Sequence, residues 1–115
     1  GHTGNYDATI KAVKAIDDCL KKLYSVLVEQ MHFILIIVGD HGNAEYMFDE
    51  HNHSKHTAHT TNPVPLIITS HKHKIKHSGR LCDIAPTILG LMNINKPEEM
   101  TGISLLESIV KAHEN

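Results

Sequence analysis

The sequence is poor in the features that mark disulfide scaffolds, membrane proteins and nucleic-acid binders. Its only two cysteines, Cys19 and Cys82, form no CxxC pair, so neither a disulfide framework nor a zinc ribbon is indicated. The longest apolar run, Phe33 to Val38, is far shorter than the roughly 20 residues that a membrane helix needs. A formal charge of -2 gives no broad basic field for nucleic acid or an anionic membrane. These absences favour a cytoplasmic chain that acts on small molecules or soluble partners.

The size of the chain limits its core. It has 115 residues, of which 41% are hydrophobic, so it can bury one modest core and is expected to form one domain or part of one. It has no tryptophan but contains 11 histidines. It begins with "GHTG" in place of a methionine. We therefore expect a truncated or processed chain.

Apolar periodicity predicts an α/β fold. Apolar residues three to four positions apart predict a helix over residues 6–30 with one buried face, capped by Asn5 or Thr3. The segment "HFILIIV", residues 32–38, favours a strand covered on both faces, as in a parallel sheet between helices. Further along the chain we predict a loop over 49–63, a buried strand over 64–69, a short exposed strand within 70–79, a helix over 82–94 capped by Asp83, and a closing helix within 104–115. The remainder of such a sheet is expected to lie outside this chain.

Acidic and imidazole side chains follow the best predicted strand. Asp40 and His41 come directly after it, at the end of a strand where α/β sheets bind their ligands. A carboxylate and an imidazole are a common ligand pair for Zn²⁺ or Mn²⁺, and Gly42 would allow a close approach of the backbone. The alternative is an aspartate that caps a turn beside a solvated histidine.

Other histidines offer weaker signals. His56 and His59 have a His-x-x-His spacing that can chelate a metal, although a solvated polar loop would show the same pattern. His2 lies between two glycines, where an exposed terminus is the alternative interpretation. Each signal is weak when it is taken alone.

Taken together, five segments resemble the C-terminal part of cofactor-independent phosphoglycerate mutases. They are "GHTGNYDATIKAVKAIDDCL", "GDHGNAE", "HTAHTTNPVPLI", "GRLCDIAPTILGLM" and "PEEMTGISL". The resemblance implies a partial alkaline phosphatase-like layered α/β domain, in which residues 1–115 form the C-terminal part of the phosphatase domain and the transferase domain is absent. It also implies two divalent metal ions, usually Mn²⁺, and conversion of 3-phosphoglycerate to 2-phosphoglycerate in glycolysis through a phosphoserine.

The resemblance assigns four metal ligands. Asp40 and His41 would hold the ion beside the phosphorylated serine, and His2 and His59 would hold the other; His59 is preferred to His56, whose role stays open. The nucleophilic serine and the substrate-binding arginines of the family have no counterpart here, so we assign no catalytic residue and expect the isolated chain to be inactive.

Two other functions remain open at this point. "DHG" with a downstream histidine also occurs in related metal-dependent phosphatases and sulfatases, and a non-catalytic, histidine-rich metal-binding module would account for the composition. The "NAE" and "TAHTTNPVP" segments favour the mutase. Metal identity and oligomeric state are not specified by the sequence.

Overall fold

The computed structural model describes residues 4–56 and 58–107. The chain divides between Ser70 and His71 into two compact units. The first unit contains helix α1 (Tyr6–Leu23), a π-helix (Tyr24–Gln30), and strands β1 (Ile36–Val38), β2 (Phe48–Asp49), β3 (Ser54–Lys55) and β4 (Leu66–Ile68). The second contains a 3-10 turn (Leu81–Asp83) that leads into helix α2 (Ile84–Leu91). No helix in the described ranges is long and apolar enough to cross a membrane.

The predicted first helix is confirmed. The side chain of Asn5 accepts a hydrogen bond from the Ala8 amide at 3.1 Å and so caps α1. The last seven residues of the predicted span form a π-helix, whose end is marked by a bond from the Met31 amide to the Val26 carbonyl. The predicted burial of one helix face is wrong for the described structure. Ile10, Val13 and Ile16 are exposed, because none of the described residues forms an apolar layer over them.

Strands β1 and β4 pair antiparallel, with Ile37 opposite Ile67. The expected parallel arrangement is therefore wrong for this pair. A parallel pair needs a crossover connection, usually a helix, and the described residues between Val38 and Leu66 form none. Cover on both faces is also not observed, since Val38 and Ile67 are exposed in the described structure.

The segment predicted as a polar loop contains a short hairpin. Phe48 pairs with Lys55 and Asp49 with Ser54. The carboxylate of Asp49 accepts hydrogen bonds from the amides of His51 and Asn52 and from the Asn52 side chain, which closes the turn. These bonds hold the pKa of Asp49 below its ordinary value, and the bond from the Asn52 side chain has the largest effect. The polar composition concealed a hairpin because side-chain hydrogen bonds specify its turn.

Helix α2 confirms the predicted helix, but Asp83 does not cap it through its side chain. The buried Asp83 carboxylate accepts hydrogen bonds from the Ile103 amide at 2.9 Å and from the Arg80 amide at 2.8 Å. These two bonds, that from Ile103 foremost, lower the pKa of Asp83 against the opposing effect of desolvation. Asp83 thus ties the start of the helical region to the segment that follows α2.

Thr87 makes the second connection to that segment. Its hydroxyl donates to the Asp83 carbonyl at 2.7 Å and accepts from the Leu105 amide at 2.8 Å. The predicted exposed strand is reduced to a single bridge between Ile75 and Leu106. Residues 104–107 are not helical, contrary to the predicted closing helix, and the rest of that prediction lies outside the described residues.

Few apolar side chains of the described ranges are buried. Met47 and Leu105 are the buried hydrophobic residues, while Thr9, Asp83 and Thr87 are buried polar ones. The Thr9 hydroxyl donates to the Met47 sulfur at 3.2 Å, which attaches α1 to the segment just before β2. Cys19 and Cys82 are exposed free thiols.

Candidate metal centre

The candidate site forms where two loops of the first unit meet. Strand β1 ends at Val38, so Asp40 and His41 lie just past a strand, as predicted. Gly42 forms a bridge with Thr60, whose amide donates to the Gly42 carbonyl at 2.7 Å. This bridge brings the segment that contains His59 beside the end of β1. Two stretches that are distant in sequence therefore share one site.

The bridge places two histidine rings face to face. The ring centroids of His41 and His59 lie 3.5 Å apart with an interplanar angle of 19°. Asp40 approaches the same ring, with its Oδ2 3.5 Å from His41 Nε2. The His41 side chain is 32% exposed and that of Asp40 is 86% exposed, so the site is open to an ion from solvent. Three of the four predicted ligands are thus brought together, whereas His2 lies outside the described residues.

The hydrogen bond of His41 determines which ring nitrogen can bind a cation. Its Nδ1 lies 3.1 Å from the Gly42 carbonyl oxygen, which can only accept, so Nδ1 carries the proton. In the neutral ring, Nε2 then keeps its lone pair, on the side that faces Asp40. Histidine ligands of metals commonly donate their other ring N–H to a backbone carbonyl in this way.

The spacing of the two candidate ligand atoms fits one shared ion. Metal–ligand distances of about 2.1 Å at a tetrahedral angle place two ligand atoms about 3.4 Å apart. The observed separation of Nε2 and Oδ2 is 3.5 Å. Asp40 and His41 therefore have the donor types and the spacing that a divalent cation requires. Within residues 4–56 and 58–107, however, no group of three or more His, Cys, Asp or Glu side chains is arranged to hold a metal.

His56 is oriented differently from His59. Its Nδ1 lies 3.1 Å from the Tyr46 carbonyl oxygen, and its ring meets the Tyr46 ring edge-on with centroids 4.6 Å apart. The amide of His56 also donates to the Met47 carbonyl. Of the two histidines in this segment, His59 is the one whose ring stacks on His41.

Two residues that sequence reasoning left without a role connect the loops of the site. Glu45 accepts hydrogen bonds from the Thr60 hydroxyl at 2.6 Å and from the Asn43 amide at 3.0 Å. The Asn43 side chain in turn donates to the Ala58 carbonyl at 3.0 Å. Asn43 and Glu45, the ends of the "NAE" segment, thus connect the loop that contains His41 to the segment that contains His59.

Comparison with known proteins identifies the family. The profile described as "Metalloenzyme: Metalloenzyme superfamily" matches residues 1–96. The chain is 53% identical over 110 residues to the 2,3-bisphosphoglycerate-independent phosphoglycerate mutase of Ehrlichia canis (strain Jake), a match that covers 95% of this chain and 22% of that protein. The corresponding enzyme of Wolbachia pipientis wMel is 52% identical over 113 residues, which cover 98% of this chain and 22% of that protein. The predicted resemblance to this group of enzymes is confirmed.

A solved structure confirms the fold. Phosphoglycerate mutase of Leishmania mexicana, crystallised at low cobalt concentration, matches with a TM-score of 0.76 and 27% identity over 94% of this chain and 23% of that one. The chain thus spans about a fifth of the length of the relatives that it matches. On the combined evidence of profile, relatives and fold, the chain belongs to the metalloenzyme superfamily, the alkaline phosphatase-like group of proteins.

Proposed function

We propose that this chain is the metal-binding C-terminal part of the phosphatase domain of a 2,3-bisphosphoglycerate-independent phosphoglycerate mutase. The complete enzyme would interconvert 3-phosphoglycerate and 2-phosphoglycerate in the cytoplasm, as a step of glycolysis. The observation that carries the proposal is the meeting of Asp40, His41 and His59 at the end of β1, in a chain about 50% identical to such mutases.

The proposed cofactors are two divalent metal ions, with Mn²⁺ the preferred candidate. Asp40 and His41 would hold one ion, and His59 together with His2 would hold the other. Such ions lower the pKa of a nucleophilic hydroxyl and neutralise the charge that builds on phosphoryl oxygens during transfer. The preference for Mn²⁺ over other divalent ions rests on the family resemblance, because imidazole and carboxylate ligands suit several transition metals.

The residues of this chain would hold and orient ligands, without reacting themselves. The bond from His41 Nδ1 to the Gly42 carbonyl fixes the proton on the nitrogen away from Asp40. Gly42 also accepts the Thr60 amide through the same carbonyl, so one backbone group positions both His41 and the segment of His59. Orientation of this kind keeps the cation ligands in place while a phosphoryl group moves past them.

We propose that residues 1–115 alone lack mutase activity. Turnover needs a nucleophile that carries the phosphoryl group and cationic side chains that hold the glycerate while it reorients. The family supplies these groups from segments that have no counterpart in this sequence, which contains Arg80 as its single arginine. Because each ion would keep only about two protein ligands here, the isolated chain should bind Mn²⁺ much more weakly than a complete enzyme, as calorimetric titration would show. Tight binding of two ions by the isolated chain would contradict the proposal that part of each ion's ligand set comes from other segments of the complete enzyme.

The experiment is an enolase-coupled assay without added 2,3-bisphosphoglycerate. It compares residues 1–115 with a longer enzyme, made by grafting these residues onto the rest of the Ehrlichia canis mutase. We expect activity only in the longer form, and a loss of two or more orders of magnitude on Asp40→Ala or His59→Ala. The matched control is His51→Ala, which removes an exposed hairpin histidine. Undiminished activity in the two ligand variants would contradict the assignment, and phosphate release without isomerisation would indicate a phosphatase instead.

A further inference from the structure

Four hydrogen bonds stabilise the candidate metal centre, and three of them join its two loops. Thr60 donates through its hydroxyl to Glu45 Oε1, and the Asn43 amide donates to Glu45 Oε2. The Asn43 side chain donates to the Ala58 carbonyl, and the Thr60 amide donates to the Gly42 carbonyl. We call this set of bonds the Glu45 clamp. The residues on both sides of His59, Ala58 and Thr60, are therefore attached to the loop that contains His41.

The side chains of the clamp lie in close contact with the backbone at Gly42. A Cβ atom added at Gly42 would collide with Thr60 Oγ1 and with Glu45 Oε1, the two atoms that share the shortest bond of the clamp. Gly42 does not have a positive φ, so the requirement for glycine here comes from this close approach and not from backbone conformation. Gly42 is buried, whereas Glu45 is exposed.

The clamp holds the residues that follow the two histidines in sequence. His41 precedes Gly42 and is bonded to its carbonyl through Nδ1, while His59 precedes Thr60, which bonds to the same carbonyl and to Glu45. Each ring is thus one residue away from an anchored position. The rings stack with centroids 3.5 Å apart, so a shift of either anchored segment would change this contact.

We infer that Glu45 is a positioning residue of the metal centre, which holds His59 against His41 through Thr60 and binds no metal itself. The inference rests on the proposed function, because it assigns the two histidines to metal binding. Groups that orient metal ligands in this way typically change metal affinity by about 10- to 100-fold when they are removed.

A glutamine substitution distinguishes a positioning role of Glu45 from a role that needs its negative charge. Glutamine can replace glutamate here, because its amide oxygen accepts from the Asn43 N–H while its NH₂ group donates to the Thr60 hydroxyl, which can accept as well as donate. A metal-binding or proton-transferring carboxylate would not tolerate this change. Glu45→Gln should therefore rescue what Glu45→Ala loses.

Two NMR measurements on the 115-residue chain test the inference. The first is the nuclear Overhauser effect between the ring protons of His41 and His59 in the absence of metal, which reports the stacking alone. The second is a Co²⁺ titration that follows paramagnetic shifts of the same protons. In Glu45→Ala we expect the ring-to-ring effect to weaken, because the Thr60 hydroxyl loses its partner, and the Co²⁺ concentration at half saturation to rise by about 10-fold or more. In Glu45→Gln both measurements should stay near wild type.

Thr60 supplies an independent pair of variants. Thr60→Val keeps the shape of the side chain but removes the hydroxyl, and should reproduce the effect of Glu45→Ala. Thr60→Ser keeps the hydroxyl and should resemble wild type. An intact ring-to-ring effect in Glu45→Ala, or equal losses in Glu45→Ala and Glu45→Gln, would overturn the inference.

Asp40→Ala separates the inference from the proposed function. If the metal assignment is correct, Asp40→Ala weakens Co²⁺ binding while the ring-to-ring effect stays unchanged. If Co²⁺ shifts neither ring in the wild-type chain, the metal assignment fails, and the metal-free measurement still decides whether Glu45 holds the rings together.

Discussion

Replacing Thr87 with valine tests whether hydrogen bonding or packing holds the second unit together. Thr87 is 1% exposed, and its hydroxyl bridges the Asp83 carbonyl and the Leu105 amide. Valine has nearly the same shape but cannot accept the Leu105 N–H. A buried donor without a partner costs about 1–3 kcal/mol, and loss of the second bond adds about 0.5–1.5 kcal/mol. The extra apolar surface of valine offsets part of this cost, so we expect a net destabilisation of about 2 kcal/mol.

Thr87→Ser is the matched control, because serine keeps the hydroxyl and loses one methyl group. Removal of a buried methyl costs about 0.8 kcal/mol before any cavity effect is added. Hydrogen bonding therefore predicts that valine is the more damaging substitution, whereas packing predicts that serine is.

The assay is amide hydrogen exchange, with urea unfolding as the measure of overall stability. The Leu105 amide should lose most of its protection in Thr87→Val and keep it in Thr87→Ser, because exchange reports local opening at that hydrogen bond. If serine destabilises more than valine, or if Leu105 stays protected in Thr87→Val, the reasoning from this hydrogen-bond network is wrong.

Three further predictions concern acid stability and two glycines. The pKa values of Asp83 and Asp49 are lowered in the folded chain from the ordinary value of 3.8. Just below pH 3.8 the unfolded chain therefore binds more protons than the folded chain. The stability that these two carboxylates contribute is complete above that pH and is lost as the pH falls through their pKa values in the folded chain. Acid titration followed by circular dichroism should show this loss of stability. A double variant with Asp83→Asn and Asp49→Asn should lose less stability over the same pH range. Equal losses in the double variant and the wild type would contradict the prediction. A Cβ at Gly102 would collide with the Cys82 carbonyl, so Gly102→Ala should destabilise by about 1–3 kcal/mol in urea unfolding, whereas Gly90→Ala, which meets only side chains of Ser104 and Leu106 at 3.1 Å, should be nearly neutral. Gly42→Ala should destabilise, and less so in a Glu45→Ala background, because removal of Glu45 relieves one of the two collisions; strictly additive free energies of unfolding would refute this.

Much of the site could be predicted from local sequence. The apolar run before Asp40 indicated a strand end, and β1 ends at Val38. The second histidine of "HTAHT" was preferred on the family resemblance, and His59 is the one that stacks on His41. The strand end follows from the apolar pattern of a short segment, whereas metal binding by these residues stays a prediction.

The errors came from relations between distant segments. The direction of β4 relative to β1 depends on the connection between them, which apolar composition does not reveal. The contact of Glu45 with Thr60 arises only in the folded chain. Asp83 stands at the predicted N-cap position of α2, but its carboxylate accepts from the Ile103 amide, 20 positions away, and this partner leaves no local signal. Hydrogen bonds between side chains and remote backbone leave no periodic trace in a sequence.

The central claim is that Asp40, His41 and His59 bind divalent metal ions. Anomalous X-ray scattering from crystals of the protein grown with excess Mn²⁺ tests this claim most directly. We predict a peak within about 2.0–2.3 Å of Asp40 Oδ2 and His41 Nε2, and a second peak at the ring of His59. Manganese bound only at the hairpin histidines His51 and His53, with neither peak at the end of β1, would contradict the account.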